Sequence, residues 1–119
     1  MRQDLRARTK DYALRVIRLY KALPRRDAVA EVIGKQLPRS ATSVAAHYRE
    51  ACRAKSKLDF VSKLEGALQE LEESELWLEL LVDSKVLSAP RVRPLRNETN
   101  ELIAMFVTMT RNVKNQESY

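Results

Sequence analysis

Apolar residues recur along this chain at three- and four-residue intervals, and no stretch alternates apolar with polar over a strand's length. That spacing predicts helix almost everywhere and an all-α fold. A first helix is expected over about 4–23, with Ala13, Ile17 and Tyr20 on one side and Arg8, Asp11, Arg15 and Arg18 on another. Pro24 stops it by disfavouring helical geometry in the residue before. A second is expected over about 26–54, opened near Asp27, where an acidic residue suits a positive helix end. Pro38 lies inside it and predicts a kink near Leu37. Ser56 is a candidate N-cap for a third helix over 57–83, whose Phe60, Leu64, Ala67, Leu68, Leu71 and Leu78 are spaced to face a core. A loop from Ser84 to Arg93 then leads to a fourth helix over 94–113, with Pro94 as its first residue and Leu95, Thr99, Leu102, Phe106, Met109 and Val113 along one side. Four helices of similar length joined by short turns predict one domain, an antiparallel up-down-up-down four-helix bundle.

The second helix changes the picture most. At 100° per residue, Lys35, Arg39, Arg49, Arg53 and Lys57 fall within a sector of about 80°. Ile33, Leu37, Val44, Tyr48 and Ala51 lie opposite. One face can join a core while the other offers five cations to something negative. The charge of the whole chain is +6, but it is segregated. Residues 1–57 hold 15 Lys and Arg against 5 Asp and Glu, a net of +10. Residues 58–90 hold 2 against 8, a net of −6, and the remainder carries +2. Such asymmetry gives the molecule distinct positive and negative surfaces.

Little in the sequence suggests catalysis. There is one histidine, one cysteine and no glycine-rich phosphate loop. His47 and Glu50 stand three apart on a helix, but in the reverse of the Glu-x-x-His order of di-metal bundles and without a second histidine. Cys52 has no partner for a disulfide or a zinc site, and is expected as a small apolar residue beside the apolar arc. We therefore expect no enzyme activity, no cofactor and no metal. The first residues carry charge with no apolar run behind them, and the longest purely apolar run is Leu102 to Val107. A cytoplasmic protein, with neither a secretory signal nor a membrane span, is the expectation. Gly34 and Gly66 fall inside expected helices, where close approach of a neighbouring helix is their natural use.

Two surfaces remain. The basic stripe is mainly arginine, whose planar fork suits phosphate, and Arg8, Arg15 and Arg18 are expected to extend it from the first helix. Phosphate neutralisation predicts sequence-independent, salt-sensitive affinity for RNA or DNA, and an acidic protein partner would satisfy the same charges. On the third helix, Glu65, Glu72 and Glu79 repeat every seventh residue beside Glu75. Leu76, Trp77, Leu78, Leu80, Leu81 and Val82 wrap about 240° around it, more than one core contact covers. Leu76, Trp77, Leu80, Leu81, Glu72 and Glu79 are the expected interface with another copy of the chain. A strip that meets a different strip on its neighbour closes into a ring where the rotation permits.

Several runs carry a family resemblance. These are Arg8-Thr-Lys-Asp-Tyr-Ala-Leu-Arg-Val-Ile-Arg-Leu-Tyr, Val32-Ile-Gly-Lys-Gln-Leu, Arg39-Ser-Ala-Thr-Ser-Val, Tyr48-Arg-Glu-Ala, Trp77-Leu-Glu-Leu-Leu and Asn97-Glu-Thr-Asn-Glu-Leu. Together they resemble the bacterial four-helix-bundle proteins encoded in 23S ribosomal RNA intervening sequences. The resemblance covers nearly the whole chain, with departures at Pro38, Ala45 and His47. It implies an antiparallel bundle assembled as a ring-shaped homopentamer, as in the related accessory proteins of diversity-generating retroelements, whose basic surfaces engage nucleic acid and a reverse transcriptase. Of the family's basic positions, Lys35, Arg39, Arg49 and Arg53 match here.

Overall fold

The computed structural model describes residues 2–117, with side chains from 5 to 116. Four helices follow one another: α1 (Arg2–Lys21), α2 (Ala28–Cys52), α3 (Lys57–Asp83) and α4 (Ala89–Glu117). Among the described residues there is no strand. Nor, among the described residues, is any helix long and apolar enough to cross a membrane.

Local chemistry sets the helix ends. The Asp27 carboxylate accepts from the Val29 and Ala30 amides at 2.9 and 3.1 Å, and the Ser56 hydroxyl accepts from the Asp59 amide at 3.0 Å. Both satisfy amide donors that a helix start leaves free. At the end of α3 the Val86 amide donates to the Leu81 carbonyl and the Lys85 amide to the Val82 carbonyl. This is a Schellman turn, with Lys85 in the left-handed region that glycine normally fills (φ 66°). Because the turn is this tight, α4 starts at Ala89, and the expected loop shrinks to 84–88. Pro94 is thus not the first helical residue but lies inside α4. Its exposed ring faces out, which leaves the unpaired Pro90 carbonyl near water. Pro38 is likewise carried within an unbroken α2, where its own carbonyl accepts from the Thr42 hydroxyl at 2.7 Å.

Consecutive helices pack side by side, while α1 and α4 meet most lightly. Cross-helix pairs ascend one helix as they descend the next. Glu50 meets Lys63, and farther along Ser40 meets Ser74; Glu75 meets Arg96, and farther along Glu65 meets Lys114. Leu5, Tyr12, Val16, Leu37, Val44, Tyr48, Leu64, Leu71, Leu78, Leu81, Leu102 and Phe106 fill the core, with the Tyr48 and Phe106 rings stacked 5.8 Å apart. On α1 the buried residues are Leu5, Thr9, Tyr12, Ala13 and Val16, with Leu23 buried just beyond its end. Of the expected Ala13, Ile17 and Tyr20, Ala13 is buried, Ile17 is half-buried, and Tyr20 packs against Gly34 instead of pointing inward. A Cβ on Gly34 would lie 2.6 Å from Leu23 Cδ1, so the close approach expected of this glycine is present. A Cβ on Gly66 would meet the His47 ring less tightly, at 3.2 Å. Cys52 is exposed, not buried: it lies one position past Ala51, at the margin of the apolar arc.

Two buried hydroxyl pairs, side by side, join all four helices. The hydroxyls of Tyr12 (α1) and Thr99 (α4) lie 2.7 Å apart, those of Ser40 (α2) and Ser74 (α3) also 2.7 Å, and Ser74 neighbours the Tyr12 phenol. Thr99 donates to the Leu95 carbonyl at 2.8 Å, which leaves Tyr12 to donate to Thr99, while Ser40 and Ser74 also reach the Leu37 and Glu70 carbonyls of their own helices at 3.1 and 3.0 Å. Burial is the main cause that pushes the Tyr12 phenol from 10.0 up to about 12.

Three predictions come from these helix ends and hydroxyl pairs. Lys85→Gly relieves a left-handed strain and is expected to raise stability by about 0.5–1 kcal/mol, a few degrees in thermal unfolding. Tyr12→Phe removes the buried bond to Thr99, which keeps its Leu95 acceptor, and is expected to cost about 0.5–1.5 kcal/mol in urea unfolding. The folded state holds the Tyr12 proton more tightly than the unfolded state does. Its contribution is therefore complete below pH 10 and lost between pH 10 and 12. Unfolding measured against pH should show the wild type losing about 2–3 kcal/mol more than Tyr12→Phe over that interval.

Candidate nucleic-acid interface

Burial of Ala30, Leu37, Ala41, Val44, Tyr48 and Ala51 turns the opposite side of α2 outward, and with it the basic stripe. The stripe is not uniform. Lys35 Nζ lies 3.3 Å from Glu31 on the same helix. Arg39 reaches α3, where its guanidinium pairs with Glu73 at 2.6 Å and Glu70 at 3.5 Å. Arg49, Arg53 and Lys57, toward the α2–α3 turn, have no carboxylate within ion-pair distance among the described residues. Arg53 and Lys57 are exposed and Arg49 is half-exposed. Thr42 and Ser43, which could add neutral phosphate contacts, donate to backbone carbonyls of their own helix.

The α1 cations do not extend this face. With Tyr12 and Val16 turned inward, Arg8, Arg15 and Arg18 lie toward α4 and away from the outer side of α2. Arg8 is drawn into a local network: its Nε donates to Glu98 at 3.0 Å, and a terminal nitrogen donates to Glu101 at 3.2 Å. The Glu98 hydrogen bond raises the Arg8 pKa above its already high ordinary value, so the guanidinium stays charged. Arg15 and Arg18 line a separate cleft with Arg91 of α4. Helical spacing places Arg6 and Lys10, both exposed, on the α2-facing side of α1. Their positions, rather than those of Arg8, Arg15 and Arg18, were the signal that the sequence offered once Tyr12 is taken as the inward residue.

The outer face of α3 is acidic. Glu72 and Glu79 are exposed there, and Glu65 meets Lys114 at 2.9 Å. Among the expected interface residues, Leu76 is 44% exposed and Leu80 is half-buried. Leu81, at 0%, belongs to the chain's own core and offers no surface, because it sits three residues past Leu78 on the inward line. Trp77 packs partly against the core, yet its buried Nε1 donor has no acceptor among the described residues. Val32 and Leu58 add exposed apolar surface, at 66% and 75%. Among the described residues no three His, Cys, Asp or Glu side chains come together to hold a metal. His47 instead lies over Gly66, with Nδ1 3.2 Å from Glu50.

Comparison with known proteins places this geometry. No curated protein matches the chain. It is similar to a crystal structure of a protein of unknown function from the S23 ribosomal protein family of Bacteroides thetaiotaomicron, with 32% identity and a TM-score of 0.83 over 93% of this chain and 99% of that one. The family model described as 23S rRNA-intervening sequence protein matches residues 2–108; this chain belongs to that family.

Proposed function

We propose that this chain is a non-enzymatic helical-bundle protein that binds structured RNA or other nucleic acid by phosphate contacts and assembles with copies of itself. The observation that carries the reading is the cluster of Arg49, Arg53 and Lys57, which stands outward with no carboxylate partner within ion-pair distance. Cations already satisfied within the chain, as Arg8 and Arg39 are, gain less from a phosphate than cations facing only water. The binding surface is therefore weighted toward the α2–α3 turn, with Lys35 and Arg39 as its flank. Few aromatic side chains accompany these cations, which favours backbone contacts over base stacking.

The pairing of helix faces supports an up-down-up-down antiparallel bundle, and the outer α3 surface supports self-association. Leu76 and Leu80 form one edge, and Glu72 and Glu79 border it. An acidic strip that meets a basic strip on the next copy is a head-to-tail contact, which closes into the ring-shaped homopentamer of our reading. No resident metal or cofactor is part of it.

Fluorescence anisotropy against a structured ribosomal RNA fragment and duplex DNA, across a salt series, tests the binding. The wild type should bind both with a steep salt slope. The Arg49/Arg53/Lys57 triple alanine variant should weaken binding and flatten that slope by about 2–3, near 0.9 per lost phosphate contact. No binding at low salt sinks the nucleic-acid reading, and leaves a scaffold that presents its basic face to an acidic protein partner. Assembly is checked separately by light scattering. Leu76→Glu should convert the oligomer to monomer, and a wild type that is monomeric at micromolar concentration overturns the interface.

A further inference from the structure

The seam where α1 and α4 meet lightly leaves a cleft of about 270 Å³ lined by Arg15, Arg18 and Arg91 over Leu19, Val92, Pro94 and Leu95. We propose that this cleft is a phosphate-binding site in which the three guanidiniums hold one phosphate group. It uses other residues on another side of the bundle from the α2 surface, and stands whether or not α2 binds nucleic acid.

Three features point to it. No carboxylate lines the cleft, and none of its arginines has an ion pair among the described residues. The nearby acids are committed or out of reach. Glu98 holds Arg8, Glu75 holds Arg96, and Asp11, one turn before Arg15, is beyond ion-pair distance from it. The larger hollow beside the α1–α2 turn differs in this respect: Glu31 lines it and already neutralises Lys35.

The second feature is the floor. Val92 and Leu95 are buried, so an anion seated on them meets less water than one on an open surface, and each guanidinium acts on it more strongly. The third is the start of α4. Its first turn holds Arg91 and no acidic residue, opposite to what a positive helix end favours. A bound anion reverses the sign of that mismatch. The cleft lies below the roughly 300–1,000 Å³ of sites that enclose a drug-sized ligand, which suits a single phosphate and not a whole nucleotide cofactor.

The phosphate has two sources, a nucleic-acid backbone or a free phosphorylated small molecule, and one experiment separates them. The guanidinium Nε–H signals of the protein are followed by NMR during titration with inorganic pyrophosphate in chloride buffer, and then with a short RNA duplex. Arg15, Arg18 and Arg91 should shift together and saturate, while Arg6 serves as an exposed control. Saturation with both probes marks a backbone phosphate site; saturation with pyrophosphate alone marks a small-molecule site. The Arg18→Gln/Arg91→Gln variant should bind pyrophosphate at least tenfold more weakly with unchanged thermal unfolding. The Arg49/Arg53/Lys57 alanine variant should bind it normally, whatever its effect on RNA. Shifts that never saturate, or that merely match those of Arg6, overturn the proposal.

Discussion

The two buried hydroxyl pairs, Ser40 with Ser74 and Tyr12 with Thr99, are the constraint on which the remaining geometry depends. A core of leucine, valine and alanine is tolerant of sliding, because one apolar contact replaces another at similar energy. Hydroxyls are not tolerant in this way. Each is buried, each needs its neighbour, and a group left unpaired costs about 1–3 kcal/mol. A helix displaced by one residue turns through 100° and rises 1.5 Å, which removes its hydroxyl from its pair. With one member on each helix, four rotations and four heights are fixed together, and the outward residues are fixed as a consequence.

Among those outward residues, ion pairs sort the cations. Arg8 with Glu98 and Glu101, Arg39 with Glu70 and Glu73, Arg96 with Glu75, and Lys114 with Glu65 each bind one helix to another. Exposed pairs of this kind contribute little to stability, of the order of 0–1 kcal/mol each. Their larger effect is on availability. A chain of net charge +6 with charge spread evenly would attract anions everywhere, whereas this one neutralises Arg8, Arg39 and Arg96 and leaves two groups of unpaired arginines beside single ones such as Arg6. One group is at the end of α2 and the other is at the α1/α4 seam.

Much of this was legible in the sequence. Asp27 and Ser56 cap as their side chains require, and the inward residues of α2, Leu37, Val44, Tyr48 and Ala51, follow from periodicity alone. The failures share a cause, which is that a helical wheel gives relative angles but not the neighbour at each angle. On α1 the choice between Tyr12 and Tyr20 as the inward ring decides where Arg8, Arg15 and Arg18 go. Only Thr99 and Ser74, on two other helices, make Tyr12 the answer. Leu81 read as surplus apolar surface because α3 is apolar over so wide an arc near its end, yet it lies on the inward line with Leu78. Pro94 was acceptable as a first residue, but a Schellman turn centred on Lys85, with no glycine to announce it, starts the helix earlier.

The positions of the two unpaired groups constrain what could use both. Tyr20 and Leu23 abut Gly34, so the C-terminal end of α1 is level with the first half of α2. From that level, Arg18 lies about one turn along α1, whereas Arg53 lies 19 residues along α2 in the same direction. At 1.5 Å per residue the two groups are separated by roughly 25 Å along the bundle axis, and they face different sides of a body 54 Å long and about 20 Å across. A mononucleotide cannot bridge that distance. A double helix repeats its groove every 34–36 Å in B-form DNA, so phosphates on successive strands of a duplex lie within the needed range. Simultaneous use of both groups thus demands a polymer laid along the bundle, while separate use leaves a small phosphate in the seam and a polymer at the end of α2.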